Sequence, residues 1–577
     1  MKLVSITTKD KFKKLIDSSG YFKRFLELKR LEKYANEIDM VLTKYNKKSC
    51  DETMMVKGLR KSCAETTNRK IHQEDLEKIV KQIAKELGLN EQIVGIMGKH
   101  HDIGHTFSGH SGEWWISSVQ EDIGIGYLCH NTLGARELIY TNQIYDEIIN
   151  KIKVHNPKVS SKELAKIRKS LWLIIDGINT HNGEKPEKEY IPDIQKTQQG
   201  FEEEMLNCYV KKGFDREVVP ATPEACLMRL ADQISYIPLD MMDGLREGII
   251  RDKKGNIVST LDEDYIDVLT KLGIELEEIK EANFKHEYGK IAERLKEIFI
   301  NDVIKNSTKK KITMSKEVMQ LMNALRNLNN EKAVNNVILI EDQQTYPAAI
   351  RKLMERFSDI ILQNGIIEQL EKQLNHEEIS KGVDKFAGTP DKGFVKYTYN
   401  TNSIDFEFTK KIVEEATKQS IRDELEIARQ CAQKQEVYQE HTEPGISYEQ
   451  KHARIKSYVL YYQSMLNKGK LIGYTDEDRE QEVENIMKHI KGTKQNPNHL
   501  NMKQRIAMAL AAKYISTLND TEFIRVLQST EIITPEQYES LTQKYVDIKD
   551  LKSKVHIQTI WKVLQKEQKK AAEEISK

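Results

Sequence analysis

An all-α fold is predicted on three observations. Apolar residues recur at helical spacing along most of the chain, alternating strand patterns are scarce, and helix start and stop residues bracket the apolar stretches. With 577 residues the chain exceeds one ordinary core, which implies roughly two to four domains or one core with large insertions. Its 39% hydrophobic residues suffice for a real interior, and its 31% charged residues fit a protein bathed in water. No run approaches the roughly 18 apolar residues of a membrane span. The opening MKLVSITTKDKFKK lacks the apolar stretch of a signal peptide, so no membrane partner and a cytoplasmic location are expected.

Taken in order, the elements justify the helical reading. Leu76, Ile79, Val80, Ile83 and Leu87 share one face of a helix over Glu74–Gly88, and Gly88 supplies its stop. Asn90 is an N-cap for the next helix, whose Ile93, Val94 and Met97 lead into His100, His101 and Asp102. Ser160 with Glu163 forms a capping box opening a helix that buries Leu164, Ile167, Leu171, Ile174, Ile175 and Ile178. Thr222 and Pro223, as N-cap and first residue, open a helix to about Gly244, which Pro238 is expected to kink or break. Ser315 starts a helix through Leu321 and Leu325, and Pro347 precedes another carrying Ile350, Leu353, Met354, Phe357 and Ile361. From about 364 to 500 the chain turns polar, 388–406 reads as irregular or hairpin structure, and the closing AAEEISK reads as a solvated tail. The expected divisions are an N-terminal helical arm (1–55), a core (56–300), a helical extension of it (301–365), an accessory insertion (366–500), and C-terminal helices with a tail (501–577).

Charge and cysteines narrow the function. The 90 basic and 89 acidic residues nearly cancel, so net charge does not imply a nucleic-acid partner, although a local pocket for a small anion is compatible with it. Lys309–Lys311 reads as a solvated charge run. The six cysteines (Cys50, Cys63, Cys129, Cys208, Cys226 and Cys431) form no CxxC pair, which argues against a zinc ribbon or a thioredoxin-like site.

Histidine placement is more informative. Six of the 15 histidines, His72, His100, His101, His105, His110 and His130, fall within 72–130. The run HHDIGHTFSGHSGE ends at Glu113, Arg69 precedes His72 by one helical turn, and Ala231-Asp232 lies in a later helix. Imidazole and carboxylate ligands hold a divalent metal while leaving positions for water and phosphate, and further histidines can move protons near neutral pH. Asp232, Tyr236 and Asp240 lie at i, i+4 and i+8, on one helix face suited to a pocket wall.

At these residues the chain resembles the HD-domain deoxyguanosine triphosphate triphosphohydrolases (dGTPases). Asn68–His72 resembles the family's arginine-to-histidine motif. His101–Glu113 resembles HDIGHTPFGHxGE, with Phe107 where proline is usual and Ser108 where phenylalanine is. Tyr127–Arg136 resembles a Phe-x-His-Asn segment with its aromatic and Gln positions changed, Gly177–His181 a Gly-Ile-Leu-x-His segment, and Ala231–Asp240 an Ala-Asp-x-Ile-Ala-Tyr helix. Weaker likenesses follow at Asn306-Ser307, Met314–Glu317 and Tyr514–Asp520.

The resemblance implies an HD phosphohydrolase core over 56–300, with His72, His101, Asp102 and Asp232 as ligands of a divalent metal. Manganese or magnesium fits best, and iron or zinc is admissible. It implies a catalytic set of His110 and Glu113, with His105 and His130 against the phosphates. Arg69 would touch a phosphate, and Tyr236 and Asp240 would hold the sugar 3′-hydroxyl. The implied reaction is attack of water at the α-phosphorus of a deoxynucleoside triphosphate (dGTP or several dNTPs), releasing deoxynucleoside and inorganic triphosphate. A nucleotide activator and a homo-oligomer are implied as well. Two other classes stand beside it: an HD-type phosphohydrolase or phosphodiesterase of another nucleotide, and a catalytically silent nucleotide sensor. Alarmone hydrolases usually carry HDxxED where this chain has HDIGHT.

Overall fold

The computed structural model describes residues 20–46, 67–107, 109–123, 125–141, 143–182, 189–246, 250, 260–330, 332, 337–363, 502–518 and 520–530. The expected 366–500 insertion, the irregular segment 388–406 and the AAEEISK tail lie outside them. Among the described residues there is no β-strand; isolated bridges include Tyr190–Ile312 and Thr308–Lys311. No described helix is long and apolar enough to cross a membrane.

The helices are α1 (Tyr21–Glu32), α2 (Ala35–Tyr45), α3 (Arg69–Leu87), α4 (Glu91–His100), α5 (His110–Ile123) and α6 (His130–Arg136), the last running into a π-turn at Glu137–Thr141. They continue as α7 (Ile144–His155), α8 (Ser161–Ser170), α9 (Trp172–Asn179), α10 (Gln198–Val210) and, after a 3₁₀ turn at Phe214–Arg216, α11 (Pro223–Arg246). Then come α12 (Glu263–Lys271), α13 (Leu276–Lys285), α14 (Gly289–Asn306), α15 (Lys316–Asn329), α16 (Val337–Gln363), α17 (Met502–Ser516) and α18 (Asp520–Ser529).

Caps set the helices that matter for the site. Asn68 Oδ1 accepts from Ile71 N at 3.0 Å, so α3 begins at Arg69 rather than near Glu74 and places Arg69 and His72 in its first turn. Gly88 closes α3 with φ 63°, a conformation that favours glycine. Asn90 accepts from Ile93 N at 3.1 Å to start α4, and Thr222 Oγ1 accepts from Ala225 N at 3.1 Å to start α11.

Three expectations shift. The helix opened by Ser160 divides into α8 and α9 at Leu171, where Ser170 Oγ bonds back to Lys166 O at 3.1 Å, a contact that bends helices. Pro238 does not break α11: Ile234, Ile237, Leu239 and Met241 around it are all buried, and Asn329 Nδ2 donates to Ile237 O at 2.7 Å. Pro347 lies inside α16 instead of preceding it. Its missing N–H costs one backbone hydrogen bond, which burial of Ile350, Leu353, Met354 and Phe357 outweighs at roughly 1.5–3 kcal/mol per side chain.

Two large hydrophobic cores result. The first joins α3, α4, α9, α11 and α14 through residues such as Leu76, Ile83, Val94, Ile174, Leu230 and Leu295. The second joins Phe107 and the α5 residues Trp115, Ile116 and Val119 to Ile350 and Phe357 of α16, Ile506 and Leu510 of α17, and Phe523 of α18. Phe107, at the motif position where proline is usual, has its place here: its ring stacks on Phe523 with centroids 3.5 Å apart. Cys129, Cys208 and Cys226 are buried free thiols.

Candidate functional site

Three segments of the first core bring four side chains together around His101. The first turn of α3 carries His72, the turn after α4 carries His101 and Asp102, and α11 carries Asp232. His72 Nε2 is 3.0 Å from Asp232 Oδ1, 3.3 Å from His101 Nε2 and 3.9 Å from Asp102 Oδ2. His101 Nε2 lies 3.1 Å from Asp102 Oδ1 and 3.5 Å from Asp232 Oδ1. For metal bonds of about 2.1 Å, neighbouring ligand atoms stand about 3.0 Å apart in octahedral and about 3.4 Å apart in tetrahedral geometry. The spacing of His72, His101 and Asp232 therefore fits a divalent cation, with Asp102 beside them against His101.

Electrostatics agrees. Burial pushes the Asp102 carboxyl up, but His101, Arg69 and His105 outweigh it and hold it well below the usual range. Burial likewise raises Asp232, and hydrogen bonds with His101 and His72 outweigh it. Burial lowers His101, yet the charges of Asp102 and Asp232 hold it up at about 10, the mark of a point that draws positive charge.

Partners behind these side chains orient them. His101 Nδ1–H donates to Gly98 O at 2.8 Å, which leaves its Nε2 lone pair for the centre. His72 Nδ1 meets Ser235 Oγ at 3.1 Å; Ser235 Oγ donates to Asp75 Oδ2 at 2.8 Å, and Lys296 Nζ holds Asp75 Oδ1 at 2.9 Å. Sequence reasoning missed this relay. Asp75, three residues after His72 on α3, was its one local signal. His100, adjacent to His101, turns the other way: its Nε2 donates to Asp39 Oδ1 at 2.8 Å and its Nδ1 accepts from Asn46 at 3.1 Å, tying α4 to α2.

Arg69 is buried, with Nη1 2.6 Å from the outer oxygen Oδ2 of Asp102. Its guanidinium lies beneath Gly109, where a Cβ would come within 2.7 Å of Nη2.

A histidine group adjoins these four side chains through Asp102. His105 Nε2 is 3.1 Å from Asp102 Oδ1 but out of line for hydrogen bonding, and neither of its ring nitrogens has a hydrogen-bond partner. Its ring stacks on His130 at 3.8 Å and 9°, with His110 edge-on at 4.6 Å. Gly104 and Gly134 permit this stack: a Cβ on Gly104 would sit 2.0 Å from His130 O and 2.2 Å from Gly134 N. His130 Nδ1 faces Glu113 Oε2 at 2.8 Å, and His110 Nδ1 faces the same oxygen at 3.4 Å. Burial raises the Glu113 carboxyl, but the charge of His130 and hydrogen bonds with His110 and His130 hold it well below the usual range.

By spacing alone His105, His110, Glu113 and His130 could also hold an ion. Parallel stacked rings, however, aim their lone pairs side by side rather than at one point, so the group is better arranged for protons and anions. His110 is its outermost member, with the side chain 48% exposed against 3% for His105 and 2% for His130. Asp215, also missed in the sequence, comes near: burial and the Glu113 charge push its carboxyl up, and Asn182 donates to it at 2.8 Å.

Asp232, Tyr236 and Asp240 are half-buried, while residues 233–235 and 237–239 between them are buried. That face of α11 is open beside the ligands.

No protein-family model matches the chain. It is similar to proteins named deoxyguanosinetriphosphate triphosphohydrolase-like. The one from Rhodopseudomonas palustris (strain HaA2) is 28% identical over 184 residues, 32% of this chain and 40% of the relative. That of Geobacter sulfurreducens is 29% identical over 182 residues, 32% of this chain and 37% of the relative. That of Ruegeria sp. (strain TM1040) is 27% identical over 201 residues, 35% of this chain and 44% of the relative. The matched part thus spans 37–44% of the length of these relatives.

Proposed function

We propose, with kinship to the dGTPase-like proteins as premise, that this chain is a metal-dependent triphosphohydrolase of deoxynucleoside triphosphates. The observation that carries the reading is the convergence of His72, His101, Asp102 and Asp232 beside a histidine group that shares Asp102. The triphosphate is a polyanion, and it needs cationic partners in a site shielded from water.

His72, His101, Asp102 and Asp232 would hold the divalent metal, which supplies charge stabilisation at a phosphoryl oxygen and a more acidic bound water. His105, buried without a hydrogen-bond partner, has donor capacity to spend on a phosphate oxygen. Arg69, anchored on Asp102, extends positive charge under the Gly109 turn. His110, the solvent-facing histidine, transfers the proton, and Glu113 steadies its imidazole from behind. Water oxygen bonds to the α-phosphorus, the bond from that phosphorus to O5′ breaks, and O5′ leaves with a proton as the deoxynucleoside. The open face with Tyr236 and Asp240 takes the sugar. Tyr236→Ala is expected to raise ribonucleotide turnover relative to deoxyribonucleotide turnover, read as the ratio of kcat/KM values; an unchanged ratio removes Tyr236 from sugar discrimination.

Product analysis tests the whole reading. The protein is incubated with each dNTP and rNTP and manganese or magnesium, beside an Asp102→Ala control. Chromatography and phosphorus NMR should show deoxynucleoside and intact triphosphate, absent in the control. Monophosphate with pyrophosphate would overturn the triphosphate-releasing reaction. Light scattering with and without dNTP tests the homo-oligomer and activator that the reading includes.

A further inference from the structure

His181 lies outside the four proposed ligands and the Glu113 group, although its spacing with His101 and Asp102 could also hold an ion, and it touches both sets. It follows α9, is 3% exposed, and its ring meets that of His101 edge-on at 4.8 Å. Its Nδ1 lies 2.6 Å from Ile178 O and its Nε2 lies 2.9 Å from His130 Nε2. A carbonyl oxygen only accepts, so Nδ1 of His181 carries a proton and its Nε2 is left to meet His130. The contact between the two Nε2 atoms pairs one N–H with one lone pair. On the other side of the same ring, His130 Nδ1 faces the Glu113 carboxylate, which accepts.

We propose that His181 is a positioning residue for the Glu113–His130 pair: its Nε2, aimed by the contact of its Nδ1 with Ile178 O, meets the Nε2 edge of His130 and so holds the Nδ1 edge of that ring on Glu113. The inference rests on the functional reading above. His130 is gripped at both edges, by Glu113 and His181, and on one face by the His105 ring, with His110 edge-on at 4.9 Å. Both ring nitrogens of His130 are then engaged within the protein. His130 acts by holding Glu113 in place, and the donor role falls to His105 and His110. The grip also explains why an uncommitted ring is not needed at 181: Ile178 O sets the direction of His181 Nε2 from within the same turn.

His181→Leu removes the polar partner of His130 with a similar apolar volume, and His181→Gln returns an amide group near the place of Nε2. Crystal structures of both variants provide a readout independent of turnover. In His181→Leu the His130 ring should leave Glu113, with Nδ1 to Oε2 beyond 3.5 Å; in His181→Gln the contact should persist. With dNTP substrate, His181→Leu should lower kcat roughly 10–100-fold, as loss of an orienting partner does, with KM within about threefold, and His181→Gln should recover most of it. The inference is overturned if His130 stays on Glu113 in His181→Leu, if Gln is no better than Leu, or if bound metal is lost in proportion, which would make His181 a ligand. A wild-type protein inert towards every nucleotide would sink the functional reading, and the crystallographic comparison would still decide the role of His181.

Discussion

Removing one hydroxyl behind the metal centre should weaken metal binding without touching a ligand. Ser235 is 0% exposed, receives the Nδ1 contact of His72 at 3.1 Å and donates to Asp75 at 2.8 Å. In Ser235→Ala the His72 Nδ1–H has no acceptor and, at that depth, no water to replace it. A buried unsatisfied donor costs about 1–3 kcal/mol, and loss of such orienting partners typically costs about 10–100-fold in metal affinity, or roughly 1.4–2.7 kcal/mol. The two routes agree, so manganese affinity is expected to drop by about 30-fold, near the middle of that range. The assay is calorimetric titration of the chelator-treated protein with manganese, with thermal melting of the metal-free form as a folding control. Asp75→Asn, which keeps an acceptor for Ser235, should show a smaller loss. Affinity within about threefold of wild type in a folded Ser235→Ala protein would refute the claim that this relay aims His72.

Other outcomes can be checked alongside. Arg69→Met breaks a buried ion pair and leaves Asp102 uncompensated, so it should cost about 3–5 kcal/mol in metal-free urea melts and clearly less with saturating manganese; equal losses would show that Arg69 and the metal do not share Asp102. Gly104→Ala meets backbone atoms at 2.0 and 2.2 Å that no side-chain movement can clear, so a loss of about 3 kcal/mol or more is expected, and a loss below about 1 kcal/mol would mean the two glycine segments separate freely. Burial raises Asp39, but hydrogen bonds from His100 and Lys99 hold it at about 2 against an ordinary 3.8. A depressed carboxyl stabilises the fold above pH 3.8 and loses that contribution as pH falls towards 2. Asp39→Asn should therefore narrow its stability gap to wild type across that window, measured by denaturation at stepped pH; a constant gap would deny the linkage.

Much of the centre was legible because its signals are local. His101 and Asp102 adjoin in sequence, His72 sits in a capped first turn, and Asp232 follows a Thr-Pro helix start. Other parts rest on pairs with no local pattern. Ser235 lies 163 residues from His72, Lys296 lies 221 from Asp75, and His181 lies 51 from His130. The prolines misled for a related reason. Their local cost is fixed, but whether a helix tolerates it depends on burial against elements such as α15 and α17, which are remote in sequence. His100 shows the converse: membership of a dense histidine run does not place a side chain in the site when a neighbouring helix offers it Asp39.

The proposed reaction centre straddles a seam. Its four ligands are rooted in the first hydrophobic core, whereas His110 and Glu113 ride the leading end of α5, whose Trp115, Ile116 and Val119 are anchored in the second. Helix α5 is thus a lever arm with its short end at the chemistry and its long end clamped by α16 and α17. A tilt of about 5° over its 14 residues, roughly 21 Å, swings one end by nearly 2 Å relative to the other. A displacement of α16 or α17 would therefore reach His110 and Glu113 through α5, while the four side chains rooted in the first core keep their own support.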